Sequence, residues 1–129
     1  MRKIYFLLFI FSQIVFSQNN SLVALQKKLD TEKKGPSKLE ILNEMVAIAF
    51  NGDIEQALFY AKKGVQLSDK IGDKNWQPKF YEMQGRMHAN LLQLDSASLY
   101  FDKAMKGYLA IKDKKGQATT LFKMAWVLK

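Results

Sequence analysis

One segment of the sequence occurs twice, forty positions apart, and this repetition limits the chain to folds that stack similar units. Residues 56–77 read QALFYAKKGVQLSDKIGDKNWQ and residues 96–117 read SASLYFDKAMKGYLAIKDKKGQ. Aligned without a gap, they share seven identities: Ala57/Ala97, Tyr60/Tyr100, Lys63/Lys103, Ile71/Ile111, Asp73/Asp113, Lys74/Lys114 and Gln77/Gln117. A unit that cannot bury its own apolar face must dock on its neighbour, so the contact residues recur at a fixed spacing.

The spacing of apolar residues predicts an all-α chain of short-looped helices. Only two prolines interrupt the sequence, Pro36 and Pro78. We expect Gly35 to end a first short helix and Ser37 with Glu40 to form a capping box. We also expect Asp53 to cap the third helix, Gly72 to end it, and Asp95 to cap a later helix. The predicted helices cover about 22–33, 37–50, 54–71, 79–92, 95–111 and 116–129.

The first seventeen residues, MRKIYFLLFIFSQIVFS, have the pattern of a secretory signal peptide. Arg2 and Lys3 precede an apolar run, and Val15 and Ser17 occupy the −3 and −1 positions of a cleavage site. We therefore expect cleavage after Ser17 and export to the periplasm or the exterior, with no membrane span in the mature chain. The alternative is an uncleaved membrane anchor, for which the apolar run falls short of the ~20 residues of a comfortable span.

These features divide the chain into three parts. Residues 1–17 form the signal peptide and residues 18–36 form a linker with a short helix. The remaining residues, 37–129, form the repeats, at 37–76, 77–116 and, in part, 117–129.

Composition argues against several classes of site. The chain has no cysteine and one histidine, His88, so disulfides, thiolate zinc sites and a cysteine nucleophile are excluded. Carboxylates four residues apart, such as Glu40 and Glu44, fit solvated helix faces better than catalysis. The formal net charge is +8, but the lysines are dispersed in pairs over separate segments, which favours solvated surfaces over nucleic-acid binding. We expect no catalytic residue, no metal site and no cofactor.

The repeated unit resembles the tetratricopeptide repeat in its forty-residue form, with the linker Ile71-Gly72-Asp73-Lys74. Signature residues in the second repeat are Tyr81, Gly85, Ala97, Phe101 and Ala104. The first repeat matches at Leu42, Met45, Ala57, Ala61 and Gly64, and the partial third at Leu121, Met124, Ala125 and Leu128. The resemblance covers nearly all of 22–129. It implies a right-handed superhelical stack of antiparallel helix hairpins, an α-solenoid of about 2.5 repeats.

The order of signal peptide, lone helix and repeats is similar to the periplasmic sensory region of bacterial histidine kinases and helix-turn-helix regulators. That similarity implies a sensory, protein-binding role in signal transduction. A second interpretation stays open, in which the chain is a stand-alone periplasmic or secreted scaffold or assembly factor.

The resemblance also implies a concave groove built from the first helix of each repeat, which would bind a protein or a peptide. Placing the family's groove positions on this sequence gives Glu40, Asn43, Ala47 and Phe50, then Lys79, Glu82, Arg86, Ala89 and Asn90, then Thr119, Phe122 and Trp126. The candidate binding residues are Asn43, Lys79, Glu82, Arg86, Asn90, Phe122 and Trp126.

The last predicted helix is apolar on almost every side. Between 121 and 128 only Lys123 is polar. A terminal repeat helix normally presents a polar face to water. We expect either further chain or another subunit to cover this end, and the second option predicts self-association through 116–129.

Overall fold

A computed structural model describes residues 2–127, and these residues form six α-helices and no strand. The prediction of an all-α chain is confirmed. The helices are α1 (Arg2–Thr31), α2 (Gly35–Phe50), α3 (Ile54–Ile71), α4 (Trp76–Asn90), α5 (Leu94–Ala110) and α6 (Lys114–Val127).

Each helix packs against the next one in the chain, and α4 additionally touches both α2 and α6. The core lies between α2, α3, α4 and α5. Its fully buried side chains include Leu39, Met45, Phe80, Met87 and Phe101. The five connections, at 32–34, 51–53, 72–75, 91–93 and 111–113, are all short, so successive helices run antiparallel.

Helix α1 differs from the prediction of a separate helix beginning near Leu22. The expected joint at 18–21 is helical, because Gln18, Asn19, Asn20 and Ser21 include no proline or glycine and can project polar side chains into water. Leu22 is buried against the core, whereas the apolar side chains between Ile4 and Phe16 that the structure describes are exposed. Lys3–Thr31 has the length and composition of a membrane span, and a signal sequence has the same properties.

Three of the predicted helix signals are wrong, at Gly35, Ser37 and Asp95, and two are confirmed, at Asp53 and Gly72. Gly35 lies inside the first turn of α2 instead of ending α1, so Ser37 is within the helix and caps nothing. Asp95 lies in the first turn of α5 and forms no cap bond. Asp53 does cap α3, accepting a hydrogen bond from the Gln56 N–H at 3.1 Å. Gly72 ends α3 with φ +70°, in the left-handed region that glycine favours.

The backbone repeats at the same forty-residue interval as the sequence. Lys112, forty positions after Gly72, also has a left-handed φ, of +58°. The two aspartates that follow have the same function: Asp73 Oδ1 accepts from the Trp76 N–H at 2.8 Å, and Asp113 Oδ1 accepts from the Gly116 N–H at 2.9 Å. The repeated aspartate is therefore explained as the residue that starts α4 and α6.

Glycines allow the helices to approach closely at two points. A Cβ at Gly85 would lie 2.8 Å from the Phe101 ring, between α4 and α5. A Cβ at Gly64 would lie 2.6 Å from Phe80 Cγ, between α3 and α4. Both distances are shorter than van der Waals contact, so these packing contacts require residues without a side chain.

Candidate functional site

The seven candidate binding residues all line one surface, formed by two adjoining depressions that we call the inter-helix groove. The first, of about 280 Å³, lies between α2 and α4 and is lined by Asn43, Val46, Ala47, Lys79, Glu82, Met83, Arg86, Tyr108 and Lys123. The second, of about 330 Å³, lies between α4 and α6 and is lined by Arg86, Ala89, Asn90, Leu92, Leu94, Phe101, Phe122, Lys123, Trp126 and Val127. Arg86 and Lys123 border both depressions, so the two are continuous.

Two cations on α4 stand over aromatic rings along the groove. The guanidinium carbon of Arg86 lies 4.2 Å from the Phe50 ring centroid, and the Lys79 ammonium lies 4.7 Å from the Trp76 ring centroid. Arg86 Nε is buried and has no hydrogen-bond partner within the described part of the chain. The stacking on Phe50 fixes the position of Arg86 in the groove.

Glu82 lies in the groove but is engaged with its neighbours. Its carboxylate forms an ion pair with Lys123 of α6 and accepts a hydrogen bond from the Tyr108 hydroxyl at 3.4 Å. Thr120 Oγ1 lies 3.2 Å from Glu82 Oε2 and 2.8 Å from the Gly116 carbonyl oxygen. Glu82 thus joins α4 to α5 and α6, and it supplies little free negative charge to a ligand.

Burial raises the pKa of the Tyr108 hydroxyl above its ordinary value, and the nearby Glu82 carboxylate raises it further. The ionised phenolate is disfavoured because it would be desolvated beside an existing negative charge. Tyr108 therefore acts as a hydrogen-bond donor at neutral pH, which is the form that the Glu82 carboxylate requires.

The first-repeat positions predicted for the face lie beside those of the second repeat. Asn43 and Ala47 line the first depression together with Glu82 and Arg86. Phe50 lies under the Arg86 guanidinium.

At the other end, α6 presents apolar side chains to water. Leu121, Phe122 and Trp126 are 58%, 67% and 74% exposed. Phe122 and Trp126 line the second depression, as Asn90 does. Thr120 is the buried side chain of α6 among the described residues.

Sequence reasoning missed several residues of the groove, chiefly Lys123, Tyr108, Leu92 and Leu94. Lys123 could have been identified as the only charged residue in an apolar stretch. Leu92 sits in the α4–α5 turn with a left-handed φ of +58°, which no sequence pattern indicates for a leucine.

His88 packs as part of the helix interface. Its ring is stacked on Tyr100 at 5.1 Å, and Nδ1 lies 2.6 Å from Gln93 Oε1. Within residues 2–127 no group of three metal-ligating side chains is placed to hold an ion.

No protein-family model matches the sequence, and no curated protein is significantly similar to it. The geometry of the groove is therefore the main basis for a functional conclusion.

Proposed function

We propose that this chain is a non-catalytic, tetratricopeptide-like binding domain whose inter-helix groove holds a protein or peptide partner. The observation that carries the proposal is the convergence of all seven candidate residues on one continuous groove. They come from α2, α4 and α6, which are separated in sequence by whole helices. Helix-repeat proteins use the surface formed by such non-adjacent helices for recognition.

The chemistry of the groove favours a partner with both carboxylate and apolar side chains. Among its lining residues Lys79, Arg86 and Lys123 are basic, and the one carboxylate, Glu82, is paired with Lys123. Phe122 and Trp126 offer exposed aromatic surface beside these charges. Arginine next to aromatic rings is a frequent source of binding energy at protein interfaces.

The same proposal includes the finer architecture, a right-handed superhelical stack of about 2.5 antiparallel hairpins. It is supported by the contacts of α4 with α2 and α6, which set the first helices of successive hairpins side by side. It is supported further by the matching left-handed residues Gly72 and Lys112 and the matching caps Asp73 and Asp113.

We further propose that the chain is exported and acts as the sensory region of a bacterial signal-transduction protein. The exposed, apolar amino-terminal half of α1 is compatible with a signal sequence. The order of leader, lone helix and repeats supports the sensory role by its similarity to the periplasmic region of such regulators.

A periplasmic or secreted scaffold is the second candidate, and one observation favours it. Helix α6 exposes Leu121, Phe122 and Trp126 to solvent, and exposed apolar patches are typical of interaction surfaces. A second copy that covers this surface would make the protein an assembly factor.

The groove can be tested with a displayed library of random peptides selected on the wild-type chain. We expect selected peptides to carry acidic and apolar residues, to lose affinity in Arg86→Ala and Trp126→Ala, and to bind more weakly as salt is added. Lys62→Ala is the matched control, because Lys62 is an exposed lysine on α3 that lines neither depression. Peptides whose affinity responds neither to Arg86→Ala nor to salt would contradict the assignment.

A further inference from the structure

Lysines that are dispersed along the sequence come together at one end of the helical stack. Because successive helices run antiparallel, the first, third and fifth connections lie on the same side of the fold. This side and the helix turns that flank it form a surface that we call the basic edge: residues 27–38, 67–79 and 106–117. The basic edge carries twelve lysines and five carboxylates. The opposite edge, at 46–57 and 86–97, carries three carboxylates, Arg86 and no lysine.

The three parts of the basic edge adjoin one another. One depression of about 450 Å³ is lined by Gly35 and Pro36 at the start of α2 and by residues 71–75 after α3. Pro78, at the start of α4, lies beside Gly107, near the end of α5. The lysines therefore form one surface and not three separate patches.

Few of the charges on the basic edge neutralise one another. Within residues 2–127 no lysine of this edge forms a salt bridge, since the ion pair of Glu82 with Lys123 lies in the groove. Three of the five carboxylates accept hydrogen bonds from backbone N–H groups of their own connections: Glu32, Asp73 and Asp113. All of the lysines except Lys38 are exposed. The edge therefore presents a positive potential to the solvent.

Helix stability explains only part of this clustering. Lys28 and Lys70 lie in the last turns of α1 and α3, where the helix dipole favours a cation. Lys38, Lys79 and Lys114 lie in the first turns of α2, α4 and α6, where the dipole disfavours a cation. Those three first turns contain no acidic residue. Lysines that oppose the dipole at three helix starts indicate a function other than folding.

The side chains of the basic edge fit a lipid surface better than a folded acidic partner. All twelve cations are lysines, whereas arginine is the residue that pairs bidentately with carboxylates and phosphates held in fixed positions. Ammonium groups on flexible stems suit anionic headgroups, which change position within a bilayer. Between the lysines, Ile71 and Leu109 are 41% and 54% exposed. Apolar side chains beside lysines can enter the boundary between headgroups and acyl chains.

The amino-terminal half of α1 projects from the opposite edge. A Cβ at Gly52 would lie 3.1 Å from Gln18 Oε1, so Gln18 lies at the connection between α2 and α3. Residues before Gln18 extend beyond that connection as a continuous helix. A membrane that held this apolar segment would therefore face the opposite edge. The basic edge can reach a lipid surface only in a chain from which the signal sequence has been removed.

We propose that the basic edge of the exported chain docks on a membrane surface rich in anionic lipids. The inference rests on the proposed export with cleavage after Ser17, and it is independent of the groove. Lysines near an anionic surface attract it over about one Debye length, so binding weakens as salt is added.

The test uses the protein exported by a bacterial host, and the mass of the purified chain shows whether residues 1–17 have been removed. Binding is measured by co-sedimentation with vesicles of phosphatidylcholine, with and without one-third phosphatidylglycerol. The test variant combines three substitutions on the edge, Lys74→Gln, Lys114→Gln and Lys115→Gln. The matched control combines three elsewhere, Lys62→Gln, Lys63→Gln and Lys103→Gln, so both variants have the same net charge. Circular dichroism verifies that both remain helical.

We expect the wild-type chain to bind the anionic vesicles and not the neutral ones. Each lysine near an anionic surface contributes about fivefold to the affinity, so the test variant should bind about 100-fold more weakly. The control should lose less than about tenfold, because its lysines lie away from the docked surface. Equal losses in the two variants would overturn the inference, as would equal binding of the wild type to both kinds of vesicle. Binding to soluble polyglutamate without binding to vesicles would assign the edge to an acidic polymer and overturn it too.

The proposals fail separately. If the purified chain retains residues 1–17, the proposed cleavage is wrong and the docking of the basic edge is wrong with it. If those residues are removed and the anionic vesicles are not bound, the inference about the basic edge alone is wrong. Arg86 and Trp126 lie outside the basic edge, so peptides that need them test the groove whatever the vesicles show.

Discussion

The close approach of α3 and α4 at Gly64 predicts that Gly64→Ala changes the free energy of unfolding. Whether the change is a loss or a gain depends on the residue at position 80. A Cβ at position 64 would lie 2.6 Å from Phe80 Cγ, and Phe80 is fully buried. Overpacking of this kind costs about 1–3 kcal/mol, whereas replacing a helical glycine by alanine gains roughly 1 kcal/mol of helix propensity. Since the contact is so short, we expect Gly64→Ala to destabilise the wild-type chain by about 1–2 kcal/mol.

The third repeat shows how the effect can be reversed. Forty residues on, the corresponding positions hold Ala104 and Thr120, both fully buried, and the Thr120 hydroxyl lies 2.8 Å from the Gly116 carbonyl of its own helix. Phe80→Thr removes the ring, at a cost approaching the ~3–5 kcal/mol of Phe→Ala. In that background Gly64→Ala should stabilise by about 1 kcal/mol, because only the helix propensity remains.

Urea unfolding of the wild type, Gly64→Ala, Phe80→Thr and the double variant measures this coupling. Unchanged m-values would indicate that the denatured state is unaffected. The expected coupling free energy is about 2–3 kcal/mol, near the top of the range for residues in contact. Gly64→Ala that stabilises the wild type, or that shifts both backgrounds equally, would refute the close approach of α3 and α4.

Three further predictions concern a cap, a buried phenol and the surface of α6. Asp113→Ala should lower the free energy of unfolding by about 0.5–2 kcal/mol, because the Gly116 N–H loses its acceptor. Asp95→Ala is the control, since it removes no cap bond and should change thermal stability by less than about 0.5 kcal/mol. The raised pKa of Tyr108 means that above about pH 10 the unfolded chain loses a proton that the folded chain keeps, so stability falls with pH. Tyr108→Phe should flatten that fall by up to about 1.4 kcal/mol per pH unit in urea unfolding, and parallel curves for the two chains would contradict it. Leu121→Lys should reduce concentration-dependent association in sedimentation velocity, since Leu121 is 58% exposed, and unchanged sedimentation would show that α6 does not mediate self-association.

Local signals in the sequence were sufficient to predict much of the helical framework. Asp53 and Gly72 act within a few residues of themselves, so their positions as cap and stop follow from residue type. The recurrence of aspartate at 73 and 113 predicted equivalent structure at both sites, although its function as the acceptor for Trp76 and Gly116 appears only in the fold.

The errors arose where several local interpretations were compatible with the same residues. Gly35 can end one helix or begin the next, and Pro36, which favours a first turn, places it in α2. Residues 18–21 are polar, but polarity without glycine or proline does not stop a helix, so α1 continues through them.

The candidate site was predicted in part, because groove positions follow from the repeat spacing while pairings between helices do not. Arg86, Phe122 and Trp126 were placed by the resemblance to the repeat family, and they do line the groove. The ion pair of Glu82 with Lys123 joins residues that are 41 positions apart, and no pattern of a single helix indicates it. The packing of α1 on α2 was also missed, because it depends on where a lone helix docks.

The most direct test of the central claim, that the groove binds the partner, uses Trp126 as the reporter. The chain has two tryptophans, so Trp76→Phe leaves Trp126, which is 74% exposed at the groove, as the single emitter. Titration with a peptide selected on the wild-type chain should shift the Trp126 emission to shorter wavelength, because the bound peptide removes the indole from water. The midpoint of this shift should equal the midpoint measured by anisotropy of the labelled peptide. A peptide that saturates by anisotropy while Trp126 emission stays unchanged would show that it binds elsewhere, and the assignment of the groove would be wrong.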